Sequence, residues 1–121
     1  MDVMKRILHV DNSGFFRKMM KSFLLNEGFE VESYDNARDA SMGISGGLID
    51  MVIMGLAFTD IDGEEFLKSV SESFSGPIIV VTGSVDAEKE NRLAALGCRA
   101  AIGKTGWQSS LKPYLSELRL M

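Results

Sequence analysis

Four short stretches hold the side chains that could do chemistry: Asp11-Asn12 in LHVDNS, Gly55 in VIMGLA, Thr82-Gly83 in VVTGS and Lys104 in IGKTG. Each follows an apolar run, so each falls where a strand would end. Brought to one edge, a carboxylate, an amide, a hydroxyl and an ammonium form a small polar pocket that favours anions. Gly55 is the anomaly. Ligands in doubly wound sheets sit beyond the carboxyl ends of strands, yet the strand that ends at this position offers no side chain there. One histidine, His9, and one cysteine, Cys98, give neither an internal disulfide nor a metal cluster. No nucleophile–base pair is visible, so an independent enzyme activity has no support.

The elements that must position these residues alternate along the chain. Strands are expected at Arg6–Val10, Glu30–Ser33, Met51–Met54, Pro77–Val81 and Ala100–Gly103. The first helix, Gly14–Glu27, places Phe15, Phe16, Met19, Met20, Phe23 and Leu24 on a broad apolar face, with Gly28 as a left-handed cap and Asn12 or Ser13 as N-cap. The second, Ala37–Ser45, ends in Gly46-Gly47. The third starts at Asp62, whose D-x-x-E spacing to Glu65 makes a capping arrangement, and carries Phe66, Leu67, Val70 and Phe74 as its stripe. The fourth spans Asp86–Leu96. In the fifth, Trp107, Leu111, Leu115 and Leu118 fit helical spacing, and Pro113 implies a start nearby, with Ser109 or Ser110 as N-cap. The order implies an α/β fold, a doubly wound five-stranded parallel sheet with five helices, as one domain over residues 1–121.

Composition bounds the rest. The 121 residues are 45% hydrophobic and 25% charged, which fits one ordinary core. Net charge is −4 and the 13 Lys and Arg are scattered, so no basic stripe suits nucleic acid or an anionic membrane. The longest apolar run, Met51 to Phe58 with Gly55 inside it, falls far short of the roughly 20 residues that span a bilayer. The N-terminus has acids within and after its apolar stretch and does not read as a signal peptide. A reducing, cytoplasmic setting is the expectation.

The pieces RILHVDNSGFFRKMM, DMVIMGLAFTDIDGEEFL, PIIVVTG and GCRAAIGK, in order and suitably spaced, resemble the receiver domain of bacterial two-component response regulators over essentially the whole chain. The resemblance implies a flavodoxin-like, CheY-like layout. In that family two acids after the first strand bind Mg²⁺, and an Asp ending the third takes a phosphoryl group. A Thr or Ser after the fourth strand hydrogen-bonds that group, and a Lys after the fifth pairs with it. By position, Asp11 matches the first acid, Thr82 the hydroxyl and Lys104 the ammonium.

The departures carry more weight than the matches. Asn12 stands where the second acid belongs, and Gly55 stands where the phosphoacceptor Asp belongs. Without a carboxylate at 55 no acyl phosphate can form there. Asp11 alone holds Mg²⁺ weakly at most, against the charge of Lys104, so no metal or other cofactor is expected. The switch aromatic of the fifth strand corresponds to Ala101, which cannot report occupancy by swinging. The family's Lys-Pro pair, typically cis, reads Lys104-Thr105; a non-proline cis bond costs about 2.5–4 kcal/mol, so a trans bond and a rearranged loop through Gly106 are expected.

Together these losses read as a pseudo-receiver, kept as a phosphorylation-independent protein–protein interaction module. The expected partner is another signalling protein or a second copy, met through the face of the fourth helix, fifth strand and fifth helix, around Leu93 to Leu118. Two alternatives compete. One is phosphorylation at a displaced acceptor such as Asp60, Asp62 or Ser13. The other is a small anion or nucleotide in the vacated pocket; flavin is not expected, because DNSGFF makes a poor phosphate loop.

Residue by residue, plainer roles also stand. Asp11 serves as a turn acid or as the partner of Lys104, and Lys104 otherwise extends into water. Asp62 is a cap and Asp60 a solvated turn residue. Thr82 bonds local backbone, His9 is a satisfied core or edge histidine, and Cys98 is a small buried hydrophobe. Trp107 anchors the fifth helix or lies on a partner-binding face, and Met42 is the methionine to check for exposure.

Overall fold

The computed structural model describes residues 4–121. Strands and helices alternate: β1 (Arg6–Val10), α1 (Gly14–Asn26), β2 (Glu30–Tyr34), α2 (Ala37–Ser45), β3 (Met51–Met54), α3 (Gly63–Ser73), β4 (Ile78–Thr82), α4 (Ala87–Ala95), β5 (Ala100–Gly103) and α5 (Trp107–Arg119). The five strands form one parallel sheet in the order β2-β1-β3-β4-β5. After β1 the chain steps outward to β2 and then returns across to β3, so the direction of winding reverses between β1 and β3. The crevice beyond those two strand ends lies over Asp11 and Gly55.

Alternation of side chains along the strands supplies both layers of the core. Leu8, Val10, Val52, Met54, Ile78 and Val80 face α2, α3 and α4, where Phe66, Leu67, Val70 and Leu93 meet them. Ile7, Met51, Ile53, Ile79 and Val81 face α1 and α5, against Phe16, Met20, Leu24, Trp107, Leu111 and Leu115. Burial on both faces is why β3 and most of β4 read as continuous apolar runs rather than as alternating ones.

Four helices start on side-chain caps. Ser13 Oγ accepts from Phe16 N–H at 3.2 Å, Asn36 Oδ1 from Asp39 N–H at 2.8 Å, Asp62 Oδ2 from Glu65 N–H at 3.1 Å and Asp86 Oδ1 from Lys89 N–H at 2.8 Å. Each such cap contributes about 0.5–2 kcal/mol. Gly28 ends α1 at φ 92°, in the left-handed region that the sequence called for.

Several expectations need correction. The fifth helix does not wait for Ser109 or Ser110: α5 begins at Trp107, with Gly106 at φ 69° before it and no side-chain cap, and Pro113 lies inside the helix. Trp107, Leu111, Leu115 and Leu118 are all buried, and at about 1.5–3 kcal/mol each they outweigh the roughly 3 kcal/mol that one interior proline costs. Phe15 is 77% exposed rather than part of the apolar face of α1, because Phe16, Met20 and Leu24 set the buried stripe and Phe15 lies about 100° around from it. β2 runs one residue further than expected, since Tyr34 pairs with Val10, and β4 is shifted by one, starting at Ile78 instead of Pro77 and ending at Thr82, which pairs with Gly103.

Asp60 is also more than a solvated turn residue. Its two carboxylate oxygens accept from the N–H groups of Ala37 and Arg38, at 3.3 and 2.9 Å, tying the β3–α3 loop to the start of α2. These bonds from Arg38 and Ala37 hold its carboxyl below the usual carboxylate range. Met42 is exposed, and Cys98 and Trp107 are buried.

Candidate functional site

Asp11 is the first residue beyond β1, and its N–H donates to the Tyr34 carbonyl at 3.1 Å, which carries the ladder one step past the strand. Its side chain is turned inward and the residue is 3% exposed. Oδ1 accepts from Ser13 N–H at 2.8 Å. Oδ2 lies 3.3 Å from Lys104 Nζ. Asp11 therefore fills both plainer roles at once, turn acid and partner of Lys104. Arg17 Nη1, one turn into α1, donates to the Asp11 carbonyl at 2.7 Å. Arg17 was not singled out from the sequence; its position six residues after Asp11, on the inward-leaning side of α1, is the only signal it offers.

Lys104 follows β5, and its N–H donates to the Thr82 carbonyl at 2.8 Å. Its ammonium sits 4.3 Å from the centroid of the Phe16 ring as well as beside Asp11, so it is held over the pocket rather than extended into water. The Lys104–Thr105 bond is trans, as expected, with no cis peptide among the described residues. The Thr82 hydroxyl does not bond local backbone as expected: no hydrogen bond from it is found among the described residues, and Thr82 meets Lys104 only through its carbonyl. Asn12 is exposed, and no hydrogen bond from its side chain is found among the described residues. Ala101, opposite Val80 on β5, packs against the core layer of α2, α3 and α4.

Gly55 is buried, and its N–H donates to the Val10 carbonyl at 2.9 Å. A Cβ at this position would lie 2.7 Å from Asp11 Oδ2 and 3.3 Å from Asp11 Cγ. Contact that close would force a shift, and the atom that would have to give way is the Asp11 carboxylate, which lies in the space a side chain at 55 would enter. The structure thus brings Asp11, Gly55, Thr82 and Lys104 to one crevice.

His9 corrects another expectation. It is a core residue, fully buried on β1, but not a satisfied one: neither ring nitrogen has a hydrogen-bond partner among the described residues. Its ring meets Phe16 edge-on at 5.7 Å. Burial pushes its pKa from 6.5 down to about 4; the charge of Asp11 pulls the other way, and Lys104 and Arg17 add to the lowering.

The donor set does not fit a divalent cation. Asp11 is the lone carboxylate at the strand ends, one of its oxygens is bonded to Ser13 N–H and the other faces an ammonium. Among the described residues no three acids, histidines or cysteines come together anywhere that could hold a metal ion. Hard cations such as Mg²⁺ need oxygen donors free of competing cations. The three positions considered as displaced acceptors, Ser13, Asp60 and Asp62, each accept from a helix N-terminal N–H.

Residues 7–115 match the model of the response regulator receiver domain. The chain belongs to that family. Among curated relatives, the regulatory protein AtoC of Escherichia coli is 31% identical over an alignment of 123 residues, covering 100% of this chain and 25% of AtoC. A protein-glutamate methylesterase/protein-glutamine glutaminase of Bacillus subtilis is 28% identical, covering 92% of this chain and 32% of its own length. The chain spans 25–43% of the length of the first curated relatives it matches. Among solved structures, the chemotaxis response regulator CheY4 of Vibrio cholerae superimposes with a TM-score of 0.85 at 26% identity, over 96% of this chain and 99% of that one. A CheY-like receiver of Methanospirillum hungatei gives 0.83 at 25% identity, over 97% and 98%. This receiver therefore has the five-stranded parallel sheet and five helices of its relatives, and it is a two-component signalling domain. No helix among the described residues is long and apolar enough to cross a membrane.

Proposed function

We propose that this receiver is a phosphorylation-independent interaction module. One observation carries the reading: the position that should bear the phosphoacceptor is Gly55, and the space over it is taken by the carboxylate of Asp11. A phosphoryl donor would find no nucleophile there, and the ammonium that should meet transferred charge is already paired. The missing second acid at Asn12, the lone weak metal ligand Asp11 and the methyl group of Ala101 support the same conclusion. Mg²⁺ plays no part in this reading, and the chain itself is not an enzyme.

The partner is another protein or a second copy, met through α4, β5 and α5. The residues that bounded this face in the sequence, Leu93 and Leu118, are core, so contact falls to the polar side chains around them. Arg99 and Glu117 form a half-exposed ion pair on that face at 2.9 Å, and Arg92 reaches Glu64 of α3 at 3.0 Å. Such a surface favours steering and specificity over bulk affinity. Among the described residues nothing on it resembles a basic nucleic-acid stripe, and the setting is cytoplasmic.

The displaced-acceptor reading has no favouring observation, because Ser13, Asp60 and Asp62 are all engaged as caps. Incubation with Mg²⁺ and acetyl phosphate, and separately with partner kinases, followed by intact-mass measurement, tests the proposal. An unmodified mass in every condition is expected; a phosphoryl adduct overturns it. Sedimentation with and without the same treatment should give unchanged association.

A further inference from the structure

Asp11 is engaged at both carboxylate oxygens and at its backbone carbonyl. Its carboxylate stands over Gly55, with Oδ2 2.7 Å from where a Cβ would be, and the same oxygen faces Lys104 at 3.3 Å. Oδ1 is anchored by Ser13 N–H at 2.8 Å, and the backbone carbonyl is held by Arg17 at 2.7 Å, so the side chain is not free to swing at random. Lys104 is held from its other side by the Phe16 ring at 4.3 Å.

We propose that Asp11 is a built-in occupant of the receiver pocket, an internal anion that fills the volume of the absent side chain at 55 and satisfies Lys104. In the protein as it stands this closes the pocket to free oxyanions such as inorganic phosphate. Once Asp11 is removed, Lys104, Thr82 and the backbone beside Gly55 form an oxyanion site. The inference rests on the phosphorylation-independent reading and adds what keeps the pocket in one state. φ at Gly55 is outside the left-handed region, so a methyl group there would be opposed by the Asp11 carboxyl and not by the backbone.

Two measurements test it. The first is a thermal-stability cycle of Gly55→Ala, Asp11→Ala and the double variant. Gly55→Ala should lower the Tm of the parent protein and leave the Tm of the Asp11→Ala background nearly unchanged, because the obstructing carboxyl is then gone. Equal losses in both backgrounds overturn the proposal. Should Asp11→Ala fail to fold, Asp11→Ser keeps an oxygen for Ser13 N–H and serves in its place.

The second is titration with inorganic phosphate, read by amide NMR shifts at Thr82, Gly83 and Lys104. The parent should show no saturable shift, Asp11→Ala a saturable one, and Asp11→Ala with Lys104→Met none. Binding by the parent equal to that of the variant, absence of binding by the variant, or binding that survives loss of Lys104 each overturns it. A phosphoryl adduct in the mass experiment would defeat the underlying reading, whereas a background-independent Gly55→Ala penalty defeats only this inference.

Discussion

The two walls of the crevice differ in kind. The wall built by β1, α1 and β5 is dense with engaged side chains: Asp11, Ser13, Arg17, Phe16 and Lys104 contact one another, and Phe16 continues edge-on to Trp107 at 5.3 Å, which meets Phe23 at 5.0 Å. The wall built by the ends of β3 and β4 presents backbone: Gly55, the Thr82 carbonyl and Gly83. The second wall carries no side chain at 55, and the Asp11 carboxylate of the first reaches over that position and pairs with Lys104. The difference teaches that the two walls are held by unlike means, one by paired side chains and the other by closely approaching backbone.

The largest expected effect tests whether the dense wall is also the costly one. His9 lies beneath it, neutral and without a hydrogen-bond partner among the described residues, with a pKa of about 4 against 6.5 in the unfolded chain. The unfolded chain takes up its proton first as pH falls, so the stability tied to neutral His9 is complete above about pH 6.5 and is lost between there and about pH 4. A depression of that size corresponds to about 3 kcal/mol. Urea unfolding across this window should show the loss in the parent and a flatter profile in His9→Phe, which also removes two unsatisfied nitrogens. Equal pH profiles would move the acid sensitivity elsewhere.

Next in size is a probe of the bare wall. A Cβ at Gly63, the first residue of α3, would overlap the backbone of Leu56 just beyond Gly55. Unlike the Asp11 carboxyl, that backbone cannot rotate aside, and overpacking of this kind costs about 1–3 kcal/mol. Gly63→Ala should therefore lower the urea midpoint with an unchanged slope. A wall bare of side chains would then still be tightly packed at its base.

Much of this was legible in the sequence, and what was not has identifiable causes. The strands, the caps at Ser13 and Asp62, the left-handed Gly28 and the gathering of Asp11, Gly55, Thr82 and Lys104 follow from local pattern and strand order. The start of α5 did not, because the proline rule is local whereas Trp107 is drawn in by Phe16 and Phe23 from another helix. Asp60 was read as solvated because its partners, the N–H groups of Ala37 and Arg38, lie over 20 residues away in sequence. The unpartnered state of His9 and the reach of Asp11 over Gly55 depend on sub-ångström packing that no spacing encodes. The resemblance gave the residues of the site but not the new contact between them.

A smaller effect separates the two members of the ion pair. Lys104→Met leaves the Asp11 carboxylate, 4% exposed at its side chain, without its cation, although Ser13 N–H remains and Arg17 is close by. Loss of a partner from a fully buried pair costs about 3–5 kcal/mol, but the Lys104 side chain is 36% exposed and solvent screens its share, so about 1–2 kcal/mol is expected. Comparison of Lys104→Met in the parent and in Asp11→Ala, by urea unfolding, should show the penalty shrink in the latter.

The smallest effect has the opposite sign and tests the bare wall where it is loose. A Cβ at Gly83 would meet nothing within 4 Å, and its φ lies outside the left-handed region. Gly83→Ala then narrows the unfolded ensemble without straining the folded one, a gain of about 0.4–1 kcal/mol. If it stabilises while Gly63→Ala destabilises, the β3–β4 wall is rigid at its base and open at its rim. A loss of stability in Gly83→Ala would instead show that the open rim beside Thr82 is itself held in place, and the contrast between the two walls would be weaker than their side chains imply.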